Sequence, residues 1–328
     1  MRTVKRVAAT AVAVAAGLCS ASGFVQAQDF PNKAVRFVIP YPPGGSTDLL
    51  GRFVGQKLSE VWKQPVVAEN RPGAGGSIGA AIVAKAAPDG YTLVLGNSAS
   101  HAAWELLNPS NTPYNSLRDF SPISMLAVSK LVLIVQPSLE VKTVRELVAL
   151  AKSRPGRLNY GSPSIGSSPH LGMELFKTNA GVDILHIPYS GAAPARTALL
   201  AGAFEVYMGT LGGMVDFARQ GKIRILAVVS DKRASEAPDI PSMAEAGFPG
   251  TEMDTWFGLL APAGLPPTLV NRINADVRRA IDGEENRLQL VKIEFERATS
   301  TPQEFLALMQ RERDKYTRLI RDANIKAQ

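Results

Sequence analysis

The strongest constraint on the fold is a unit that recurs along the chain: a short apolar run, a turn rich in Gly, Ser and Pro, then a segment of helical periodicity. Its fullest form is the run Val35–Ile39, the turn Tyr41-Pro42-Pro43-Gly44-Gly45-Ser46-Thr47-Asp48, and a helical pattern over 49–62. Two prolines stop the strand and two glycines let the backbone come close to a ligand. Ser46, Thr47 or Asp48 can cap the helix that follows. A helix N-terminus presents unpaired N–H groups and a partial positive charge, so this turn is a seat for an anion. A succession of such units predicts an α/β protein.

The pattern predicts strands over 65–69, 91–95, 120–128, 131–135, 158–160, 183–187, 204–208, 223–229 and 257–261. Ser77 is expected to cap an Ala-rich helix. Thr143-Val144-Arg145-Glu146 reads as a capping box, and Pro169 suits the first turn of a helix. Thr301-Pro302-Gln303-Glu304 opens a last helix whose Phe305, Leu308, Met309, Tyr316, Leu319 and Ile320 share one face as core packing. Trp62, Trp104 and Trp256 are expected in the core or at its rim. Ligands of open α/β sheets sit beyond the carboxyl ends of the strands. Here the strand ends at 40–48, 96–101, 161–169, 188–191 and 209–213 offer backbone amides and hydroxyls, with His101 among them and His170 directly after the third as the only basic side chains. A small anion held by amides, hydroxyls and bridging water fits that inventory.

Residues 1–27 read as a secretory signal: Arg2, Lys5 and Arg6 precede an apolar stretch, and Val25-Gln26-Ala27 supplies a cleavage site near Ala27. The stretch is too short to span a bilayer, and Leu18 before Cys19 is poor for lipid attachment. Removing three positive charges lowers the formal net charge from +7 to +4, without any Lys/Arg block that would suggest nucleic acid. Cys19 is the only cysteine. The mature chain is thus expected to lack disulfides, thiolate metal sites and cysteine nucleophiles. About 300 exported residues can bury roughly three-quarters of their surface, most comfortably as two domains.

Enzyme motifs fare poorly. Gly75-Gly76-Ser77-Ile78-Gly79 matches the nucleophile-elbow pattern, but Arg71 to Ala74 intervene between the strand and Ser77, so the turn is not sharp, and His101, His170 and His186 all lie too early for that fold's base. Gly73-Ala74-Gly75 lacks the third glycine of a dinucleotide fingerprint, and Gly221-Lys222-Ile223 is no P-loop. No zinc or calcium motif occurs, so neither metal nor cofactor is expected. A serine esterase using Ser77 remains the alternative from another class.

Seven motifs then follow one another in order. They are Tyr-Pro-Pro-Gly-Gly-Ser-Thr-Asp at 41–48, Glu-Asn-Arg-Pro-Gly-Ala-Gly-Gly at 69–76, Ala-Ala-Pro-Asp-Gly-Tyr-Thr-Leu at 86–93 and Gly-Ser-Ser-Pro-His-Leu at 166–171. His-Ile-Pro-Tyr at 186–189, Pro-Ser-Met-Ala-Glu-Ala-Gly at 241–247 and Trp-Phe-Gly-Leu-Leu-Ala-Pro-Ala-Gly at 256–264 complete the series. Together they resemble the Bug family, periplasmic substrate-binding proteins of tripartite tricarboxylate transporters, over essentially the whole mature chain. The resemblance implies a type II periplasmic-binding-protein fold with two α/β lobes, 28–125 plus 228–328 and 126–227, closing on a ligand cleft. It implies a small carboxylate ligand (a di- or tricarboxylate, an acidic amino acid or an aromatic acid), integral membrane subunits as partners and no enzymatic activity. A monomer is expected. A binding protein feeding a sensor instead of a transporter is the nearest alternative.

Carried over by motif, the ligand residues are Tyr41, Gly44, Gly45 and Asp48 in the opening turn and Ser98 and Ala99 at the third strand end. The second lobe adds Ser162, Ser167, Ser168, His170, Tyr189, Gly191 and Thr210. Where many relatives resemble Phe-Asp-Asn, this chain has Met208-Gly209-Thr210, which removes an acidic partner for a ligand ammonium. The ligand expected is therefore an acid without an amine. Lys130 and His101 are placed by position alone as candidates for a second, distal carboxylate.

Overall fold

The computed structural model describes residues 30–234, 237–293, 295–323 and 325. The expected signal segment and its cleavage site lie outside the described residues. Two compact units are distinguished. One is Met1–Asn32, described only at 30–32; the other, Lys33–Gln328, carries every element below.

The first strands are β1 (Val35–Ile39), β2 (Val66–Asn70) and β3 (Thr92–Asn97), parallel, with β1 in the middle. A parallel strand covered on both faces reads as a continuous apolar run, and Val35, Phe37, Val38 and Ile39 are all fully buried. Helix α1 (Ser46–Trp62) follows β1 and buries Leu50, Val54, Leu58 and Trp62 at four-residue spacing. Trp62 then reaches across to α8 (Pro267–Ile281), donating from Nε1 to Asp276 at 2.8 Å. Helix α2 (Ser77–Ala84) follows β2, and a π-helical turn at Ala99–Ala103 runs into the short α3 (Trp104–Leu107) after β3.

The two strands expected around Ser129-Lys130 are one, β4 (Phe120–Val135). The dipeptide contains no breaker, Ser129 pairs in register with Thr255, and the Lys130 ammonium is met by Asp254 at 2.7 Å, so nothing forces a turn. This long strand joins both halves of the sheet. Up to Lys130 it runs antiparallel to β9 (Asp254–Pro262); from Leu131 onward it runs antiparallel to β7 (Val206–Thr210) and β8 (Arg224–Val228). The path across the sheet is β2-β1-β3-β9-β4-β7-β5-β6, with β5 (Asn159–Ser162) and β6 (Leu185–Pro188) parallel at the far edge and β10 (Glu296–Arg297) paired to β4.

Helices α4 (Val144–Ser153), α5 (Ser168–Ala180), α6 (Ala192–Leu200) and α7 (Gly212–Arg219) serve the second half; α9 (Glu284–Lys292) and α10 (Pro302–Asp322) follow α8. The capping box of α10 forms completely, and Phe305, Met309, Tyr316 and Leu319 are buried as expected, with Leu308 and Ile320 packed partly buried against the same core. At α4, Thr143 accepts the Glu146 amide at 3.2 Å, but Glu146 accepts from the Lys142 amide, not from Thr143. At α1 the cap is Gly45 and no side chain caps it, because the Asp48 carboxylate is committed elsewhere. Ser77 is likewise no cap: Gly76 holds that position and Ser77 is the first helical residue.

Candidate functional site

Three helix N-termini meet around one cleft. From the first half comes α1, with Gly45, Ser46 and Thr47 on the wall; from the second come α5, with Ser167, Ser168 and Pro169, and α6, with Gly191, Ala192 and Ala193. No side chain caps α1 or α6, whereas Ser167 caps α5 by accepting the His170 amide at 3.4 Å. The cleft has a volume of ≈ 80 Å³.

The opening turn is built on Asp48, which is only 3 % exposed. Its carboxylate accepts from the Gly44 amide at 3.0 Å, Arg52 Nε at 3.0 Å and Asn70 Nδ2 at 2.8 Å. Burial alone would raise its pKa, but the bonds from Arg52, Gly44 and Asn70 outweigh that and hold it below the usual carboxylate value. Asn70 also donates to the Tyr41 carbonyl at 3.0 Å, so one amide ties the two ends of the turn together. Gly44 sits at φ +79, a conformation glycine adopts without strain.

Tyr41 closes the turn from below. Its hydroxyl lies 2.9 Å from both the Gly75 carbonyl and Asn97 Oδ1, and burial pushes its pKa up to about 12, so it remains a neutral donor. Asn97 Oδ1 in turn accepts the amides of Ala99 at 3.1 Å and Ser100 at 3.0 Å, which winds the chain tightly after β3 and brings Ala99 to the wall. Ser98 is fully buried, and its hydroxyl meets that of Ser168 at 2.7 Å, bridging β3 and α5. A Cβ on Gly191 would stand 3.5 Å from the Pro42 ring, so α6 also approaches the opening turn closely.

Of the residues carried over by motif, Tyr41, Gly45, Ala99, Ser167, Ser168, Gly191 and Thr210 line this cleft. The others stand behind it. Gly44 and Asp48 shape the opening turn, and Ser98 supports Ser168. Ser162 is bonded to His186 at 2.7 Å, His170 accepts the Gly166 amide at 3.1 Å, and the Tyr189 ring packs 5.6 Å from Phe204. Asn97, Thr255 and Phe257 also line the cleft, although none of them is among the expected ligand residues. Thr255 and Phe257 alternate along β9 with Asp254 and Trp256, so they share a face that only the central position of β9 turns toward the cleft.

Lys130 and His101 do not join them. Lys130 pairs with Asp254, and His101 is 1 % exposed between the rings of Tyr114 and Phe120, where burial pushes its pKa down to about 3. No Asp, Glu, Lys, Arg or His is among the residues that line the cleft. Ser77 lies 4 % exposed in α2 and is not on this wall. Among the described residues no cluster of three His, Cys, Asp or Glu is placed to hold a metal ion, and no helix is long and apolar enough to cross a membrane.

Residues 50–325 match the Tripartite tricarboxylate transporter family receptor, TctC. The chain is 36 % identical to Protein BugT of Bordetella pertussis over 260 residues, 79 % of this chain and 80 % of that protein. Among solved structures it is similar to an R. palustris protein with adipate, at 35 % identity and a TM-score of 0.86, covering 90 % of this chain and 99 % of that one. It is also similar to MatC from Rhodopseudomonas palustris with bound malate, at 31 % identity and a TM-score of 0.81, covering 89 % and 100 %. The mixed α/β architecture is that of these periplasmic binding proteins. The chain therefore belongs to the TctC/Bug family, the solute-binding receptors of tripartite tricarboxylate transporters, which are periplasmic binding proteins and not enzymes.

Proposed function

We propose that this receptor captures a small carboxylate without an amine, a di- or tricarboxylate or an aromatic acid, and presents it to the integral membrane subunits of its transporter. The observation that carries the reading is the convergence of three helix N-termini on a cleft whose wall holds no formally charged side chain. Each N-terminus offers partial positive charge and N–H donors, so a carboxylate is favoured there without a lysine or arginine. An ammonium group would face the same dipoles with no carboxylate to pair with, since Asp48 is turned to Arg52, Asn70 and Gly44. Adipate and malate in the similar structures agree in chemical class.

In this reading the ligand is met by Tyr41, Gly45, Ala99, Ser167, Ser168, Gly191 and Thr210, while Gly44, Asp48, Ser98, Ser162, His170 and Tyr189 place them. The lobes are 28–125 plus 228–328 and 126–227, and β4 passes between them without a flexible tether. Ligand favours closure because only the closed form offers both walls at once, and that form is what the membrane subunits recognise. A signal segment over 1–27, cleaved near Ala27, delivers the chain to the periplasm.

A thermal-shift and calorimetry screen of mono-, di- and tricarboxylates, aromatic acids, aspartate and glutamate tests the proposal. Bound ligand raises the melting temperature by mass action, and at least one amine-free acid is expected to do so. Tighter binding of aspartate or glutamate than of every amine-free acid would overturn the proposed ligand class.

A further inference from the structure

Two histidines lie behind the second wall of the cleft. His170, on α5, is 5 % exposed; His186 sits on β6, in register with Tyr160 of β5. Tyr160 and Ser162 share one face of β5, so the His186 ring lies beside Tyr160, at 4.7 Å and 19°, and reaches diagonally to Ser162. The His170 ring stacks on it from α5 at 4.2 Å and 29°.

The hydrogen bonds fix where the protons are. His170 Nδ1 accepts the Gly166 amide at 3.1 Å, so that nitrogen carries no hydrogen. Ser162 Oγ donates its one hydrogen to the Ser164 carbonyl at 3.1 Å. The 2.7 Å contact between Ser162 Oγ and His186 Nε2 is then a bond in which the imidazole donates. The Ser164 carbonyl also accepts the Ser167 hydroxyl at 2.7 Å and the Ser167 amide at 3.2 Å. One imidazole thus holds the start of the loop at 162–167 and the other holds its end.

We propose that the stacked pair His170–His186 is a positioning device: as two neutral imidazoles it fixes the loop at 162–167, and so sets where the start of α5 meets a ligand. The positioning stands on this hydrogen-bond geometry, and only its consequence for ligand rests on the carboxylate reading above. The charged groups facing the stack are Glu174 and Lys177, both on α5. Glu174 accepts from the Tyr160 hydroxyl at 2.5 Å and from Lys177 at 2.8 Å, so its charge is already partnered. Burial first, then Lys177, pushes His170 down to about 4; burial first, then His170, pushes His186 down to about 3. Protonating both rings would set two cations 4.2 Å apart and remove the lone pair that accepts the Gly166 amide.

The test is long-range ¹H–¹⁵N spectroscopy of the imidazoles in the full chain, from about pH 8 down to about pH 4, where an unperturbed histidine would titrate midway. Both rings are expected as Nε2–H tautomers, neutral down to about pH 5. An Nδ1–H tautomer for either, or titration of either near its ordinary value, would overturn the proposal. A second readout is exchange of the Gly166 amide in His186→Leu and His186→Gln, since Gln keeps an N–H donor near the position of Nε2. Losing the His186 bond to Ser162 frees the start of the loop, so the Gly166 amide at its end is expected to exchange about tenfold faster in His186→Leu and at the original rate in His186→Gln. Unchanged exchange in a folded His186→Leu would refute the positioning role whatever the ligand proves to be. If that variant does not fold, the tautomers of the unaltered chain still decide.

Discussion

The turn at 41–48 and the loop at 162–168 both deliver a helix N-terminus to the cleft, yet one is held by a buried charge and the other by neutral groups. Asp48 gathers an amide, a guanidinium and a carboxamide on a single carboxylate. The opposite loop uses serine hydroxyls, a backbone carbonyl and two imidazoles. Charge-assisted bonds are roughly twice as strong as neutral ones. The opening turn is therefore the stiffer wall, and the second loop depends on many weaker bonds made together. The two also differ in what breaks them, because a carboxylate and an imidazole lose their roles at different pH.

Substituting the anchors separates the walls most widely. Asp48→Ala leaves the Gly44 amide and Asn70 without their shared acceptor and is expected to cost about 2–4 kcal/mol in urea unfolding, against about 1 kcal/mol for Ser162→Ala. Equal losses would end the distinction.

Acid should loosen the second wall first. His170 and His186, like His101, have folded values of about 4, 3 and 3 respectively, below their unfolded value of 6.5. Between those limits the unfolded chain binds protons that the folded chain refuses, so stability falls as pH falls. The loss is on the order of a few kcal/mol for each buried ring by about pH 4. Asp48 contributes a nearly constant amount in that window: its contribution is present above the unfolded value of 3.8 and disappears only as pH falls through its still lower folded value. Urea midpoints that stay flat from about pH 6.5 to about pH 4 would contradict this order of events.

The smallest effect compares two glycines. Both Gly44, at φ +79, and Gly191, at φ +147, lie where an L-residue is strained, so alanine at either should cost about 1–3 kcal/mol. A Cβ on Gly44 meets nothing within 4 Å, whereas one on Gly191 meets the Pro42 ring across the cleft. Ligand affinity should therefore fall further in Gly191→Ala than in Gly44→Ala at similar stability. The reverse ranking would place the close approach of the two walls outside the binding event.

Much of this was legible in local chemistry. The Gly/Ser/Pro turns at strand ends predicted where amides would gather, and Thr301 with Glu304 predicted a cap that formed completely. Other readings failed where a local rule met a distant partner. Ser46, Thr47 and Asp48 looked like caps, but Arg52, Asn70 and Gly44 claim the Asp48 carboxylate and leave Gly45 at the helix start. Ser129-Lys130 looked like a break in a strand until Asp254, 124 residues away, neutralised the lysine within the sheet.

By itself the sequence determined that strands would end in anion-seating turns, because glycine freedom, proline geometry and exposed helix amides are properties of neighbouring residues. Tertiary structure decided which of those turns face one another. Only the antiparallel insertion of β9 between β3 and β4 turns Thr255 and Phe257 toward the cleft, and only the pairing of β5 with β6 brings His186 under Ser162. Such contacts depend on register between segments far apart in the chain, and a register is set by the packing of the whole sheet.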